Sequence, residues 1–291
     1  GLELWLAEHP QISLHVLAEH GYPDALGRAH TLTVAPIEAL LEALTRALAS
    51  HEPRAEQRAF TERVERANEL AWRSVLRVAE RTASFGEPEA VRVALESIPA
   101  GGLLVLGNSL PVRLVDSFVP AAGARVRVAS QRGANGIDGL VAGAAGSALA
   151  ARCPTLLLLG DVSLAHDVGG LAAARLVRTP LALVVLDNGG GRIFEQLPVA
   201  KLWERAPERA ELWLTPPALA FEHAAALFEL PYAAPRDAGE LRTALARAFE
   251  HRGATLVHVR VEPHGARETT RAVLAELERT LTEVLDPGAR A

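Results

Sequence analysis

The sequence predicts an α/β protein built on a doubly wound parallel sheet, and three observations support that prediction. Short apolar runs recur near residues 105, 128, 158, 184 and 258. The two central runs are too short for helices and are bounded by Pro and Gly, which is typical of buried parallel strands. Stretches at helical spacing lie between the runs, so strands and helices alternate as in an open sheet covered on both faces.

The composition narrows the class of protein. The chain has 291 residues, is 49% hydrophobic, has a net charge of −5 and contains one lysine, Lys201. Its arginines are scattered among acids without a basic block, so we expect no nucleic-acid partner. Cys153 is the single cysteine, which excludes a disulfide framework and favours a cytoplasmic location. No apolar run reaches the roughly 18 residues of a membrane span, and we expect no membrane partner.

The pattern of the first 87 residues predicts the end of one domain, followed by a connector to the next domain. Residues 2–9 and 37–49 have helical patterns, whereas residues 12–17 and 31–34 resemble strands. These four elements are too few for an independent core, so we interpret residues 1–50 as the C-terminal part of a middle domain. The absence of methionine indicates that Gly1 is not a natural start. Residues 51–87 predict an amphipathic helical connector.

Residues 88–291 have the regular alternation of a second domain. We predict helices over residues 88–98, 111–118, 137–151, 218–230, 238–251 and 267–285, and strands over 103–106, 126–129, 156–159, 181–186 and 255–261. A helix that starts near Ser163 is expected to join the strands at 158 and 184. Residues 199–216 predict a long irregular loop.

Polar side chains follow the two central strands at the point where each strand ends. Gly160-Asp161 follows the first strand, and Asp187-Asn188 with two glycines follows the second. The carboxyl ends of neighbouring parallel strands meet at one edge, where open sheets bind ligands. A carboxylate, an amide oxygen and a free backbone carbonyl suit Mg²⁺ that is also bound to phosphate. The alternative is that Asp161 caps a helix and Asn188 belongs to a turn.

Three more loops are expected at the same edge, at residues 108–109, 130–136 and 189–191. Arg113 and Arg132 are the cations near these loops, and a guanidinium can bind a carboxylate with two hydrogen bonds. Ile193, Phe194 and Leu197 form an apolar segment that either walls a substrate pocket or caps the core. His166 and His223 have patterns typical of structural histidines.

Several motifs resemble one known family. Gly160-Asp161 followed by Asn188 resembles the thiamine-diphosphate signature, with Val162 in place of its third glycine and Asp187 in place of its first asparagine. Five runs, in this order, resemble the MenD family, the 2-succinyl-5-enolpyruvyl-6-hydroxy-3-cyclohexene-1-carboxylate synthases of menaquinone biosynthesis: Gly107-Asn108-Ser109-Leu110 with Arg113, Arg132 to Gly139, Gly160 to Ser163, Asn188-Gly189-Gly190 with Ile193-Phe194, and Phe221 to Ala225.

The resemblance implies a diphosphate-binding domain over residues 88–291 and a role for each matching residue. Asp161 and Asn188 would ligate Mg²⁺ or Mn²⁺ through their side chains, and Gly190 through its carbonyl. The residues expected along the cofactor are Ser109, Ile137, Gly160, Asp161, Val162, Ser163 and Asn188, with Ile137 beneath the bent thiamine diphosphate. The residues expected at the substrates are Asn108, Arg113, Arg132, Ile193, Phe194 and Leu197, with both arginines facing carboxylates.

The resemblance also implies a reaction and an assembly. The enzyme would decarboxylate 2-oxoglutarate and add the succinyl unit to isochorismate, as a homodimer or homotetramer. The family's N-terminal pyrimidine-binding domain, which supplies the catalytic glutamate from a neighbouring subunit, is absent here. Glu195 is near the site but lacks motif support for that role. We therefore expect this polypeptide alone to be inactive.

Two other interpretations stay open. Another thiamine-diphosphate decarboxylase or carboligase would share the cofactor residues, although a small neutral 2-oxo acid would not require Arg113 and Arg132. A noncatalytic nucleotide-binding module is the second, but no G-x-G-x-x-G opens a helix after the first strand.

Overall fold

The computed structural model describes residues 2–81, 85–120, 126–131, 136–198, 200–203, 206, 208 and 210–285. The chain divides into two compact units, Gly1–Glu62 and Arg63–Ala291. The division falls inside a long helix, α3 (Ala55–Arg81). The domain boundaries predicted near residues 50 and 87 stay predictions.

The first unit is small and has little core. Its elements are α1 (Leu2–Glu8), β1 (Leu14–Ala18), β2 (Ala29–Val34) and α2 (Ile37–Leu48), with β1 and β2 paired in parallel. The Asp24 carboxylate accepts hydrogen bonds from the backbone N–H groups of Arg28 and Ala29, at 3.0 and 2.7 Å. Ala18 is the one buried residue among those described in this unit, which agrees with the expectation that these elements are too few for a core.

The second unit contains a six-stranded sheet whose paired strands are all parallel. Its strands are β3 (Leu103–Leu106), β4 (Arg127–Ser130), β5 (Thr155–Gly160), β6 (Leu181–Asp187), β7 (Tyr232–Ala233) and β8 (Ala254–Arg260). Their order across the sheet is β4-β3-β5-β6-β8-β7. The predicted doubly wound α/β fold is confirmed. The two-residue β7 was not predicted, because so short a strand leaves no pattern in the sequence.

Both faces of the sheet are buried. Leu156 and Leu158 pack into the apolar cluster on one face, and Leu157 and Leu159 into the cluster on the other. The first face is covered by α4 (Glu87–Glu96), α5 (Leu110–Phe118), α12 (Ala238–Glu250) and α13 (Gly265–Leu285). The second is covered by α6 (Leu140–Ala151), α7 (Asp161–His166), α8 (Leu171–Ala174) and α11 (Phe221–Leu227). Within the described parts of the chain, every helix is too short or too polar to cross a membrane.

The connection between β5 and β6 differs from the single helix predicted to start near Ser163. It begins at Asp161 as α7, passes through a 3₁₀ turn at Val168–Gly170 and continues as α8. At this break the Asp167 carboxylate accepts the backbone N–H groups of Val141 and Ala142 at 2.7 and 2.9 Å. The predicted loop at residues 199–216 also contains two short helices, α9 (Ala200–Trp203) and α10 (Ala210–Leu214).

Candidate functional site

A cavity of about 190 Å³ lies at the carboxyl ends of β5 and β6. The two strands are paired neighbours, with Gly160 opposite Leu186. Asp161, the first residue after β5, and Asn188, the first after β6, both line this cavity and are 2% and 5% exposed. The tertiary fold therefore brings together the two side chains that the strand ends suggested.

Asp161 is bound to the loop that follows β6. Its Oδ2 accepts the backbone N–H of Gly190 at 2.7 Å. Burial raises the pKa of Asp161 to about 6, and the nearby Asp187 carboxylate adds to the rise, whereas backbone N–H groups oppose it. A nearby cation would stabilise the ionised form of this buried carboxylate, because it would compensate for the lost hydration.

The side-chain amide of Asn188 has a hydrogen-bond partner at its nitrogen but none at its oxygen. Its Nδ2 donates to Glu87 Oε1 at 2.9 Å, whereas its buried Oδ1 has no hydrogen-bond partner. A buried amide oxygen without a partner costs free energy unless a ligand satisfies it. This oxygen and the Asp161 carboxylate are the hard donors that Mg²⁺ prefers.

This donor set fits a cation that is shared with a phosphate. Among the described residues, no group of three or more His, Cys, Asp or Glu side chains could hold a metal ion. A cation here would therefore need amide, backbone and ligand oxygens besides Asp161, as Mg²⁺ bound to a diphosphate does. The residues present fit that group.

Glu87 is a site residue that sequence reasoning missed. It lies at the start of α4, is 1% exposed and lines the cavity. Burial raises its pKa to about 7, and the hydrogen bond from Asn188 opposes that rise. The sequence offered only the glutamate before Pro88 as a signal, and acids are common at helix starts.

The loop after β3 contributes strained backbone. Ser109 lines the cavity with φ +72°, a conformation that non-glycine residues seldom adopt. Its carbonyl accepts a hydrogen bond from Arg113 Nη1 at 2.7 Å. Val162, Ser163 and His166 on α7 line the cavity as well.

The apolar segment after β6 divides between cavity and surface. Ile193 and Phe194 line the cavity together with Ile137, and Phe194 meets Trp213 edge-on with ring centroids 5.9 Å apart. Ile193 also packs against the core, so the pocket-wall and core-cap interpretations both apply to it. Leu197 is 46% exposed and lies outside the cavity lining.

Glu195 forms an ion pair with Arg192 and a hydrogen-bond contact with His264. Its Oε1 accepts from Arg192 Nη1 at 2.6 Å, and its Oε2 lies 3.1 Å from His264 Nδ1. Arg192, which the sequence interpretation did not single out, also donates through Nε to the Asn188 carbonyl at 3.1 Å. These contacts give Glu195 a structural part in holding the loop after β6.

The comparisons with known proteins agree with this geometry. A family model described as the thiamine pyrophosphate enzyme C-terminal TPP-binding domain matches residues 125–259. A 2-succinyl-5-enolpyruvyl-6-hydroxy-3-cyclohexene-1-carboxylate synthase of Sorangium cellulosum is 39% identical over 278 residues, which cover 93% of this chain. This chain resembles the MenD family of thiamine-pyrophosphate enzymes. The resemblance inferred from the motifs is thereby confirmed.

The chain spans 45% of the length of that MenD-family relative. A solved structure of a protein from Mycobacterium smegmatis, assigned as a thiamin-diphosphate-dependent enzyme, has a TM-score of 0.59 and 17% sequence identity to this chain. That likeness covers 86% of this chain and 44% of the other, and it shows the fold alone.

The fold accommodates both departures from the thiamine-diphosphate signature. Val162 stands in the cavity wall where the signature has glycine. Asp187 accepts a hydrogen bond on Oδ2 from His258 Nε2 at 2.7 Å, and His258 Nδ1 lies 2.8 Å from the Tyr232 hydroxyl. Burial by itself would raise the pKa of Asp187, but the hydrogen bond and charge of His258 lower it.

Three of the predicted substrate residues, Asn108, Arg113 and Arg132, are absent from the lining of the cavity that contains the predicted cofactor residues. Asn108 Nδ2 donates to the backbone carbonyls of Gln131, at 2.8 Å, and Gly136, so it joins the loops after β3 and β4. Arg113 is exposed and lies outside the cavity lining. Arg132 lies outside the described residues. Their substrate roles stay predictions.

Proposed function

We propose that this chain is the diphosphate- and metal-binding part of a thiamine-diphosphate-dependent transferase that makes 2-succinyl-5-enolpyruvyl-6-hydroxy-3-cyclohexene-1-carboxylate. The observation that carries the proposal is that the Asp161 carboxylate and the Asn188 amide, whose Oδ1 has no hydrogen-bond partner, line the same cavity. The name and 39% identity of the Sorangium cellulosum relative support the choice of reaction.

Asp161 and Asn188 would hold Mg²⁺ or Mn²⁺ through their side chains, and Gly190 through its carbonyl. Ser109, Gly160, Val162 and Ser163 would lie along the diphosphate, and Ile137 beneath the cofactor. Bound thiamine diphosphate supplies a nucleophilic carbon for decarboxylation of a 2-oxo acid and for carbon–carbon bond formation.

The substrates in this proposal are 2-oxoglutarate and isochorismate, which both carry more than one carboxylate. Arg113 and Arg132 would bind these groups, because a guanidinium matches a carboxylate in charge and geometry. Asn108 would stand beside them, with Ile193, Phe194 and Leu197 at the apolar part of the substrates. An apolar wall strengthens such charged contacts by keeping water away.

The proposal also requires a second polypeptide. The catalytic glutamate would come from the pyrimidine-binding domain of another subunit in a homodimer or homotetramer. The 291-residue chain should therefore bind the cofactor but leave isochorismate unchanged. Sustained consumption of isochorismate by the purified chain would contradict this part of the proposal.

Another thiamine-diphosphate decarboxylase or carboligase is the alternative, since the cavity residues would serve either enzyme. A panel of 2-oxo acids, assayed with this chain joined to the part of the Sorangium cellulosum relative that it does not match, separates the two. Preference for 2-oxoglutarate supports the proposal, whereas preference for a small neutral 2-oxo acid supports the alternative.

Calorimetry tests the cofactor assignment directly. Thiamine diphosphate with Mg²⁺ should bind the chain, and NAD should not. Asp161→Asn should weaken binding strongly, because the metal would lose its charged ligand. Asp116→Asn, the same substitution on an exposed part of α5, should bind as the wild type does. Equal binding by both variants would refute the site.

A further inference from the structure

Glu87 is a buried acid for which the fold alone gives no reason. It occupies the first turn of α4 together with Glu89. An acid at this position interacts favourably with the helix dipole even when it faces water. Burial of a carboxylate, in contrast, costs free energy because the group loses its hydration. Glu87 is nevertheless 1% exposed, and its Oε2 has no hydrogen-bond partner.

The partner of Glu87 comes from a distant part of the sequence. Its Oε1 accepts a hydrogen bond from Asn188 Nδ2 at 2.9 Å, across 101 residues of chain. Both side chains line the same cavity. The contact therefore links the first turn of α4 to the residue that follows β6.

This contact selects one of the two orientations of the Asn188 amide. With Nδ2 facing the Glu87 carboxylate, Oδ1 is left without a protein partner. When Glu87 is ionised, the reverse orientation would place the amide oxygen against a carboxylate oxygen, two acceptors without a hydrogen between them. Groups that hold a metal ligand in one orientation commonly raise the affinity of the site for its metal.

We propose that Glu87 is a positioning residue, which holds the Asn188 amide so that Oδ1 is available to the divalent cation of the diphosphate site. The proposal rests on the proposed function, because it needs a cation at Asn188. It assigns Glu87 no contact with the substrates.

Three variants separate positioning from charge and from packing. Glu87→Gln keeps an acceptor oxygen of the same reach, whereas Glu87→Met keeps the length and removes the acceptor. Glu89→Met is the control variant: it removes the other acid of the same helix turn, and Glu89 does not line the cavity. If Glu87→Met does not fold, as judged by circular dichroism, Glu87→Ala replaces it.

The affinity for Mg²⁺ is measured by calorimetry with thiamine diphosphate present. Glu87→Met should weaken it by roughly 10- to 100-fold, the usual effect of losing a group that orients a metal ligand. Glu87→Gln and Glu89→Met should bind close to the wild type. In the metal-free chain, the Asn188 side-chain amide protons should exchange faster in Glu87→Met than in Glu87→Gln, as seen by NMR.

Each other outcome overturns the assignment in a recognisable way. If Glu87→Met binds Mg²⁺ as the wild type does, Glu87 does not position Asn188, and the proposed function stands. If Glu87→Gln is as weak as Glu87→Met, the charge matters rather than the hydrogen bond. If the wild type binds no Mg²⁺ with thiamine diphosphate, the proposed function fails, and this assignment fails with it.

Discussion

At the scale of single residues, Gly190 shows how closely the site is built. Its φ of +123° lies in a region that side chains seldom adopt, and a Cβ there would lie 2.4 Å from the Leu214 carbonyl oxygen. The next residue, Gly191, donates its N–H to the same carbonyl at 2.6 Å. Backbone from two loops therefore meets where only glycine fits.

Gly190→Ala should destabilise the chain by about 2 kcal/mol or more, because the strand end and the Leu214 segment must separate. Gly189→Ala is the matched control. It also has positive φ, but its nearest contact is the end of the Arg192 side chain at 3.6 Å, so we expect about 1 kcal/mol. Denaturant unfolding and Mg²⁺–thiamine diphosphate binding measure both effects. Equal losses in the two variants would contradict the close packing at Gly190.

The raised pKa of Glu87 predicts how stability depends on pH in the metal-free chain. Folding raises this pKa from 4.5 to about 7, so the folded chain holds the proton more tightly. Stability from this group is complete below the unfolded value and is lost as pH rises through about 7. Glu87→Gln removes the effect.

The wild type should therefore lose stability relative to Glu87→Gln between pH 5 and pH 8, on the order of 3 kcal/mol. Denaturant unfolding at the two pH values measures this difference. Glu89→Gln serves as the control for the loss of an acid from the same turn. A difference that does not change with pH would show that Glu87 ionises as freely as an exposed acid.

At the scale of elements, one side chain joins the broken connection between β5 and β6 to the start of α6. Asp167 accepts two backbone N–H groups from the first turn of α6, as a capping residue does. A Cβ at Gly170 would lie 2.8 Å from the backbone nitrogen of Ala142. The two segments are therefore in close contact at the point where the single helix predicted from spacing is interrupted.

Asp167→Ala should cost about 1 kcal/mol, the usual effect of losing a helix cap. Asp167→Asn keeps one acceptor oxygen and should cost less, and Asp116→Ala on the exposed face of α5 should cost little. Thermal or denaturant unfolding compares the three. A loss in Asp116→Ala as large as that in Asp167→Ala would show that Asp167 has no capping role.

At the scale of the whole molecule, the two compact units differ in how much they bury. Ala18 is the one buried residue among those described in the first unit. In the second, residues 155–159 and 181–186 are buried without interruption. Because buried apolar area supplies most of the free energy of folding, the units should differ in local stability.

Hydrogen exchange followed by mass spectrometry should show that difference. Amides of β1 and β2 should exchange well before those of β5 and β6, since exchange follows local unfolding. Peptides from α12, which belong to the second unit, provide an internal control of intermediate burial. Equal protection of the two sheets would show that the first unit is stabilised to the same extent.

Much of this protein is determined by its sequence alone. The short apolar runs specify strands because a run buried on both faces must be apolar throughout. The order of strands and helices then places Asp161 and Asn188 at one edge, since parallel strands end together. These inferences use only local pattern and the rule that open sheets bind ligands at the carboxyl ends of their strands.

Only the tertiary structure decided which polar groups pair. Glu87 with Asn188, His258 with Asp187, and Asp167 with the start of α6 are contacts between distant parts of the chain. A buried polar group needs a hydrogen-bond partner, and that partner often comes from a distant part of the chain. The spacing of residues in the sequence does not indicate which distant groups will pair. The strands were therefore predictable from the sequence, whereas the partners of the cavity's polar groups depend on contacts that form only in the folded chain.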